Sequence, residues 1–281
     1  YRLPVVAVHP GGRGLLFALQ RRGLFVVAQV YLKRQVPMNI IRVATYNIHK
    51  GVQGLGPVRR LEIHNLGLAV EALDADLVCL QEVRHNNRRE AKRFRHWPEQ
   101  AQADFLAPQG YQAVYRTNAV TRHGEHGNAL LSRWPVLSHQ HEDMSDHRLE
   151  QRGLLHVEVR LRDHGVHVLV VHLGLIRASR VRQVQQLLDF IQREVPQGAP
   201  VLVAGDFNEA GGWLRRAFAA HGLVQAPGQP PLTFPARLPV VPLDHVFSRG
   251  LVPLSLSVPQ GRVWWRMSDH LPLIAEFAVP D

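Results

Sequence analysis

The sequence predicts a layered α/β fold. Short apolar segments of strand character alternate with amphipathic helical segments, and most of the predicted strands end in polar residues. A helical stripe over residues 58–73 is followed by a buried strand at 77–80, an order that favours helices layered on sheets over an all-β architecture. At 281 residues the chain is long enough to bury a substantial core. Residues 38–281 contain no short repeat and no linker, so we predict that they form one domain.

Residues 1–37 differ in composition from the rest of the chain. They contain six Lys or Arg residues and no acid, whereas residues 38–281 contain 27 basic and 23 acidic residues, a net charge of +4. Their apolar blocks are separated by a polar QRRG segment, so none approaches the roughly 20 residues needed to cross a bilayer, and no signal-peptide pattern is present. A basic surface helix with peripheral membrane contact and a partner-binding arm are two interpretations. We favour a third, that the natural protein begins at Met38.

The composition also bears on compartment and partners. The single cysteine, Cys79, lies in an apolar run and is predicted to be a buried thiol, which excludes an intrachain disulfide and a cysteine-based zinc cage. The lone thiol and the missing export signal predict a cytoplasmic protein. A modest positive charge suits an anionic substrate such as nucleic acid or phospholipid. No stable protein partner is inferred.

The most informative segment is VLVAGDFNE, residues 201–209. An apolar run that ends in Gly205 predicts a buried strand with polar side chains at its C-terminal end. Because side chains alternate along a strand, we expect Asp206 and Asn208 to share a face. A carboxylate and a carboxamide presented together suit a metal-bound phosphate and an attacking water, and Asp and Asn are also common in turns.

Polar residues also close other predicted strands. The strand at 39–48 ends at Asn47, the strand at 77–80 is followed by Glu82, and the strand at 166–171 is followed by His172. Further strands are predicted at 111–115, 129–132, 154–161, 243–247 (with Asp244 near its start) and 271–279 (after Asp269 and His270).

Helices and loops fill the intervening sequence. An amphipathic helix is predicted over residues 181–195, and the proline-rich residues 227–242 are predicted to be a surface loop. The charged run 84–95 is predicted to be a solvated loop or helix face, with phosphate binding as the alternative. The glycine-flanked histidines of residues 123–128 are predicted to be loop residues without a role in metal binding.

The polar residues at the strand ends indicate a hydrolytic site, because layered α/β enzymes assemble their active sites there. Glu82 and Asp269 offer carboxylate oxygens that suit Mg²⁺. His270 is predicted to be a general base whose tautomer is fixed by Asp244. The predicted roles of the others are to orient the attacking water and the phosphoryl oxygens (Asp206, Asn208) and to stabilise the pentavalent charge (His172).

The ordered motifs TYNIHKG, LQEV, HGNALLSRWP, VHL, GDFN, LDH and SDH resemble the endonuclease/exonuclease/phosphatase superfamily. The likeness covers residues 38–281 and does not extend to 1–37. It implies a DNase I-like four-layer α/β sandwich, in which helices flank two central, mostly antiparallel sheets. It also implies hydrolysis of a phosphoester by water with one or two Mg²⁺ or Mn²⁺ ions.

The resemblance also implies individual roles. The metal-binding residues that it implies are Glu82, Asp269 and Asn47. The catalytic set that it implies is His270, Asp244, Asp206, Asn208, His172 and Asn47, and no carboxylate partner of His172 can be identified. Candidate contacts to phosphate or substrate are Arg152, His49 and Asn128; His49 stands where some relatives carry an acid.

The leading functional prediction is therefore a metal-dependent, nuclease-like phosphodiesterase. A phospholipid- or sphingomyelin-type phosphodiesterase and a phosphomonoesterase are alternatives on the same site, and a non-catalytic binding scaffold is an alternative of a different class. Apolar residues in 238–243 and 264–267 flank two predicted site loops and would suit a lipid. We prefer the interpretation that they pack beneath the loops.

Overall fold

The computed structural model describes the backbone of two short segments near the N-terminus and the greater part of the rest: residues 15–21, 24–30, 40–54, 56–147 and 150–280. By its contacts the chain divides into two units, Tyr1–Pro37 and Met38–Asp281. In the first unit, strands β1 (Leu15–Arg21) and β2 (Leu24–Val30) pair antiparallel, where one interpretation expected a helix. The other expectations for this unit lie outside the described residues.

The second unit contains two sheets packed face to face. The first sheet has, in spatial order, β14 (Val252–Ser257), β15 (Leu273–Ala278), β3 (Ile40–Asn47), β6 (Leu77–Asn87), β8 (Gly124–Ser132) and β7 (Gln112–Thr121). The second has β13 (Asp244–Arg249), β12 (Val201–Asp206), β11 (His164–His172), β10 (Gly153–Leu161) and β9 (Val136–Asp143). Within each sheet neighbouring strands are antiparallel, except that β3 is parallel to β6 and β11 is parallel to β12. A short antiparallel pair is formed by β4 (Val52–Gln53) and β5 (Arg60–Leu61).

Helices cover the outer faces of both sheets and complete a four-layer sandwich. Apolar side chains fill the layer between the sheets, among them Val43, Val157 and Leu202. The helices on the first sheet are α1 (Ile63–Leu73), α3 (Gln102–Leu106) and α6 (Trp264–Met267); those on the second are α4 (Arg177–Glu194) and α5 (Trp213–Ala219); α2 (Arg88–Arg93) follows β6. None of the helices in the described ranges is long and apolar enough to span a membrane.

Two predictions about the middle of the chain were wrong in part. The strand predicted at 77–80 continues to Asn87, so the first part of the charged run is strand; residues 88–93 form α2, in agreement with the predicted helix face. The histidine-rich segment 123–128 is mostly strand, because β8 begins at Gly124 and His126 pairs with Arg84 of β6. In both cases hydrogen bonds to a neighbouring strand pair the backbone groups of a polar segment. Local composition does not show which distant segments will pair in this way.

A buried histidine pair lies beside α4 on the second sheet. The Nε2 atom of His156 is 2.9 Å from Nδ1 of His167, and the two rings stack. The edge of the His156 ring meets Phe190 of α4. Burial, together with the charge of His167, lowers the pKa of His156 to about 4, and burial also lowers the pKa of His167. Both rings are therefore neutral in the folded protein near pH 7.

We expect this pair to make stability depend on pH. In the unfolded chain both histidines bind protons as pH falls through about 6.5, whereas in the folded protein burial opposes this. The free energy of unfolding is therefore highest above about pH 6.5 and falls as pH decreases towards about 4, the pKa of folded His156. Partial solvent access reduces the effect, and we expect a loss of about 1–2 kcal/mol in unfolding free energy. Urea titrations at several pH values should show a smaller loss for His156→Leu than for the exposed control His164→Gln. Equal losses would contradict this prediction.

Candidate active site

Asp206, the last residue of β12, is the centre of the site. Its Oδ2 atom accepts a hydrogen bond from Nδ2 of Asn47 at 3.0 Å. The same oxygen lies 3.5 Å from Nε2 of His172 and 3.5 Å from Nε2 of His270. The carboxylate side chain is only 1% exposed. Asn47 ends β3 in the first sheet, so its bond to Asp206 joins the two sheets at their strand ends.

The register of the second sheet places the side chains of His172, Asp206 and Asp244 next to one another. His172 is paired with Asp206 in the parallel ladder, and Asp244 is paired with Asp206 in the antiparallel ladder. Gly205 makes the close approach of β11 possible, because a Cβ atom there would lie 1.9 Å from the carbonyl oxygen of Val171. A glycine is therefore required immediately before the central carboxylate.

His270 lies between two buried carboxylates. Its Nδ1 donates a hydrogen bond to Oδ2 of Asp244 at 2.8 Å, and its Nε2 faces Asp206. The ring of Phe234 packs 4.9 Å away, centroid to centroid. Ser268, which the sequence analysis did not single out, accepts a hydrogen bond from the His270 backbone and donates one to the carbonyl oxygen of Asn47 at 2.6 Å. The SDH motif contains this serine and was the available signal.

The charges in this group are strongly coupled. Burial disfavours the charged form of His270, but Asp244 and Asp206 outweigh it and raise the pKa of His270 to about 10. Burial raises the pKa of Asp206 to about 6; the charge of His270 opposes this shift and that of Asp244 adds to it. Within the described residues, Oδ1 of Asp244 is buried without a hydrogen-bond partner. The arrangement holds an imidazolium between carboxylates at neutral pH.

Glu82 and Asp269 form a second pair of acids beside this group. Burial raises the pKa of Glu82, but the ammonium of Lys50, 2.7 Å from Oε2, outweighs it and brings the pKa to about 2. Burial likewise raises the pKa of Asp269, and His49, whose Nδ1 lies 3.0 Å from Oδ2, reverses the shift and lowers the pKa. The charge of Glu82 in turn acts on Asp269 to raise its pKa. Both side chains are therefore held as neighbouring anions.

Unusual backbone conformations place these residues. Glu82 has φ 57° at a bulge where β6 shifts its register against β8, so the residue lies within a strand and not beyond its end. His49 and Lys50 follow Asn47 with φ values of 44° and 61°. Non-glycine residues in this region carry strain that the surrounding structure must compensate, and such residues cluster at functional sites. Lys50 was missed by the sequence analysis, although it stands in the IHKG segment.

Asn208 reaches the site through a turn. β12 ends at Asp206, and Asn208 has φ 49°, so the prediction that alternation along a strand puts both side chains on one face was wrong. The backbone N–H of Asn208 donates to Oδ1 of Asp206 at 2.9 Å, and Nδ2 donates to the carbonyl oxygen of Leu173 at 2.9 Å. The known turn preference of Asp and Asn explains this geometry.

The remaining candidates differ in their access to the site. Arg152 donates to Oε1 of Glu150 at 3.0 Å and to the carbonyl oxygen of Leu173 at 3.1 Å. Burial lowers the pKa of His172 well below its usual range, and the charge of Arg152 adds to this shift, so Arg152 lies near the centre.

Asn128 is 0% exposed. Its Nδ2 donates to two backbone carbonyls of the second sheet, so Asn128 joins the two sheets. The carboxylate that faces His172 is Asp206.

Comparisons with known proteins agree with this fold. Residues 44–270 match the family model described as Endonuclease/Exonuclease/phosphatase family. The uncharacterized protein YbhP of Escherichia coli (strain K12) is 37% identical over 249 residues, covering 84% of this chain and 95% of that protein. The structure of an endonuclease/exonuclease/phosphatase from Beutenbergia cavernae DSM 12333 aligns with a TM-score of 0.65 and 20% identity over 86% of this chain and 72% of that chain.

A second solved structure, D. rerio TDP2 complexed with single strand DNA product, aligns with a TM-score of 0.63 and 16% identity over 85% of this chain and 99% of that chain. The resemblance stated from the motifs and the DNase I-like four-layer sandwich are thereby confirmed. The chain belongs to the Endonuclease/Exonuclease/phosphatase family, whose members are generally phosphoester hydrolases.

Proposed function

We propose that this chain is a divalent-metal-dependent phosphodiesterase that cleaves its substrate by in-line attack of water. The observation that carries the proposal is the convergence of Asn47, His172 and His270 on the buried carboxylate of Asp206, next to two acids that are held anionic. Elements from both sheets contribute to this group. Burying several charged and polar side chains together is energetically costly. Such a group suits a reaction whose transition state develops charge, because its fixed charges can stabilise that state.

The acids Glu82 and Asp269 are the residues that would hold a Mg²⁺ or Mn²⁺ ion. They offer ionised oxygen ligands that are partly exposed, 16% and 37% by side chain, which suits ions that retain several waters. Asn47 accepts a hydrogen bond from the His49 backbone through Oδ1, and this oxygen retains a second lone pair. When bound, such an ion neutralises charge on the phosphate. The ligand atoms of Asp206, Asp244 and His270 also lie within 4.8 Å of one another, but a protonated His270 has no lone pair to offer an ion, so we place the metal at Glu82 and Asp269.

The electrostatics favour Asp206 as the acceptor of the proton from the attacking water. Its pKa near 6 is matched to a base that works at neutral pH, whereas His270, with a pKa near 10, is already protonated. We therefore assign stabilisation of the phosphoryl charge to the His270 imidazolium, which Asp244 holds in place. A base role for His270, expected from the sequence, is the alternative assignment. His172 and Asn208 then orient the water and the phosphoryl oxygens.

The proposal is tested with a panel of substrates. Plasmid DNA, single-stranded RNA, phospholipid vesicles and bis(p-nitrophenyl) phosphate are incubated with Mg²⁺ or Mn²⁺, and separately with EDTA. We expect hydrolysis of at least one phosphodiester that EDTA and His270→Ala both abolish. The monoester p-nitrophenyl phosphate is included as well, and release of inorganic phosphate from it without hydrolysis of any diester would indicate a phosphomonoesterase. Folded protein that hydrolyses none of these compounds would support the scaffold alternative.

A phospholipid is the second candidate substrate, and one observation supports it. Leu238 and Val240 are 72% and 60% exposed, so the preferred interpretation that they pack beneath their loop was wrong. They lie on the loop whose Phe234 packs against His270. Trp264 and Met267, by contrast, are buried in the core, as the preferred interpretation of that segment expected. The vesicle arm of the panel tests this candidate directly.

We also expect Lys50→Met to strengthen metal binding. The Lys50 ammonium competes with a metal ion for Glu82, so removing its charge should raise the affinity for Mn²⁺ by about tenfold, as one screened charge–charge interaction implies. The metal-free variant should also melt at a lower temperature, because Glu82 loses its ion-pair partner. Calorimetric titration with Mn²⁺ measures the affinity, and exposed Lys92→Met is the control. Weaker binding in Lys50→Met would show that Lys50 supports the metal site instead.

A further inference from the structure

A basic and aromatic surface lies on the same strand as Glu82. We define the β6–α2 patch as the residues around a cavity of about 300 Å³ beside α2, with His85, Arg88, Phe94, Arg95 and Trp97 among its lining. The ring of His85 is itself stacked on Tyr115 at 5.6 Å between centroids. Three rings and two guanidinium groups therefore surround one open cavity. The active site described above does not use any of them.

The basic side chains of this patch outnumber its acids, because Glu99 is the one acid in the lining of the cavity. Residues 84–95 contain six Arg or Lys residues and one acid, Glu90. Glu90 is buried and pairs with Arg59 at 2.7 Å, so it does not neutralise the surface cations. Across the described part of the chain, no carboxylate forms an ion pair with Arg88 or Arg95. A solvated helix face that only served solubility would mix both signs of charge.

Arg84 is a buried cation next to the patch, separate from the cations on its surface. The residue is only 8% exposed, and within the described residues its Nη1 atom has no hydrogen-bond partner. Its guanidinium lies 5.8 Å from the ring centroid of Trp97. Glu90 and Glu82 lie close enough to act on its charge, but in the described residues neither forms an ion pair with it, so an anionic ligand at the patch would add to the stabilisation of this buried cation. The contact also holds the Trp97 ring in a fixed orientation beside the cavity.

We propose that the β6–α2 patch binds single-stranded nucleic acid, with an unpaired base stacked in the cavity on Trp97 and flanking phosphates contacted by Arg88 and Arg95. This inference rests on the proposed function and names its substrate class. His85 is three residues beyond Glu82, about 10 Å along a strand. A nucleotide close to the cleaved phosphate therefore reaches the cavity.

The chemistry of the patch selects this ligand over others. Aromatic rings bind bases through their flat faces, and those faces are accessible only when the bases are not stacked in a duplex. Arginine contacts to phosphate supply affinity without sequence preference. A lipid surface would instead be met by exposed aliphatic side chains, which the cavity does not present.

Fluorescence anisotropy tests the inference. The full chain carrying His270→Ala is titrated with a labelled single-stranded oligonucleotide, as DNA and as RNA, with the matching duplex, and with phosphatidylglycerol vesicles. We expect the single strand to bind more tightly than the duplex. Adding Trp97→Ala should weaken binding of the single strand by about 5- to 100-fold, and Trp97→Phe should retain most of it. Arg95→Gln should reduce the salt dependence by about one phosphate contact, whereas Arg160→Gln, an equal charge change at an exposed site, should not.

Hydrolysis of bis(p-nitrophenyl) phosphate, which is too small to reach the patch, reports on the proposed function separately. We expect Trp97→Ala and Arg95→Gln, in the otherwise wild-type chain, to leave this hydrolysis unchanged while raising KM for the oligonucleotide. Unchanged oligonucleotide binding in both variants would overturn the inference and leave the proposed function intact. Patch-dependent binding of duplex or vesicles in preference to the single strand would also overturn it. If the wild-type protein hydrolyses no phosphodiester, the proposed function fails, and with it the role of the patch as a substrate site.

Discussion

Replacing Asp206 by asparagine is expected to reduce kcat for phosphodiester hydrolysis by about 10³-fold. The substitution keeps the shape of the side chain but removes the charge that faces His172 and His270. It also removes the group that we assign as proton acceptor, so the loss should fall on kcat more than on KM. Steady-state kinetics on bis(p-nitrophenyl) phosphate measure both parameters.

The pH profile distinguishes this role from a structural one. Asp206 must be deprotonated to accept a proton, so the wild-type rate should fall as pH drops below about 6, and this acid limb should be absent from the residual activity of Asp206→Asn. Asp189→Asn, a change of the same chemistry on the exposed face of α4, should leave rate and profile unchanged. A folded Asp206→Asn variant with a nearly normal rate would refute the assignment.

Replacing Gly205 by alanine is expected to destabilise the protein by about 4 kcal/mol or more, or to prevent its folding. The added Cβ would lie 1.9 Å from the carbonyl oxygen of Val171, a backbone atom in the next strand. Relief of this overlap requires β11 and β12 to separate at the end that carries His172 and Asp206. Urea unfolding followed by circular dichroism measures the loss.

Gly67→Ala is the matched control for this prediction. Gly67 lies inside α1, and the nearest atom to an added Cβ is a ring carbon of Phe105 at an ordinary 3.9 Å. The same substitution should therefore stabilise the protein by up to about 1 kcal/mol, because alanine favours the helix. If both variants were equally stable, close approach at Gly205 would not be the cause of any loss.

Much of the site could be predicted because its signals are local. His172, Asp206 and Asp244 stand at the ends of short apolar runs, and a strand with a polar end is visible in the sequence without knowledge of its neighbours. The order of the motifs supplied the family and its four-layer fold. The strand ends depend on residue type and spacing alone, whereas the four-layer fold was implied by the resemblance to the family.

The remainder depends on contacts between distant segments. The bulge that presents Glu82 arises from a register shift against β8, and no residue in LQEV marks it. The ion pairs of Lys50 and His49 join residues that are 32 and 220 positions apart. The extension of β6 to Asn87 likewise follows from pairing with β8, which overrides a polar composition that alone favours a loop.

The hydrogen bond from Asn47 to Asp206 has a consequence for how catalytic competence arises during folding. Because its donor and its acceptor belong to different sheets, a species in which either sheet has formed alone contains no complete centre. Recovery of turnover during refolding should therefore coincide with the docking of the two halves and lag behind the appearance of secondary structure. Catalysis then serves as a built-in reporter of the final assembly step.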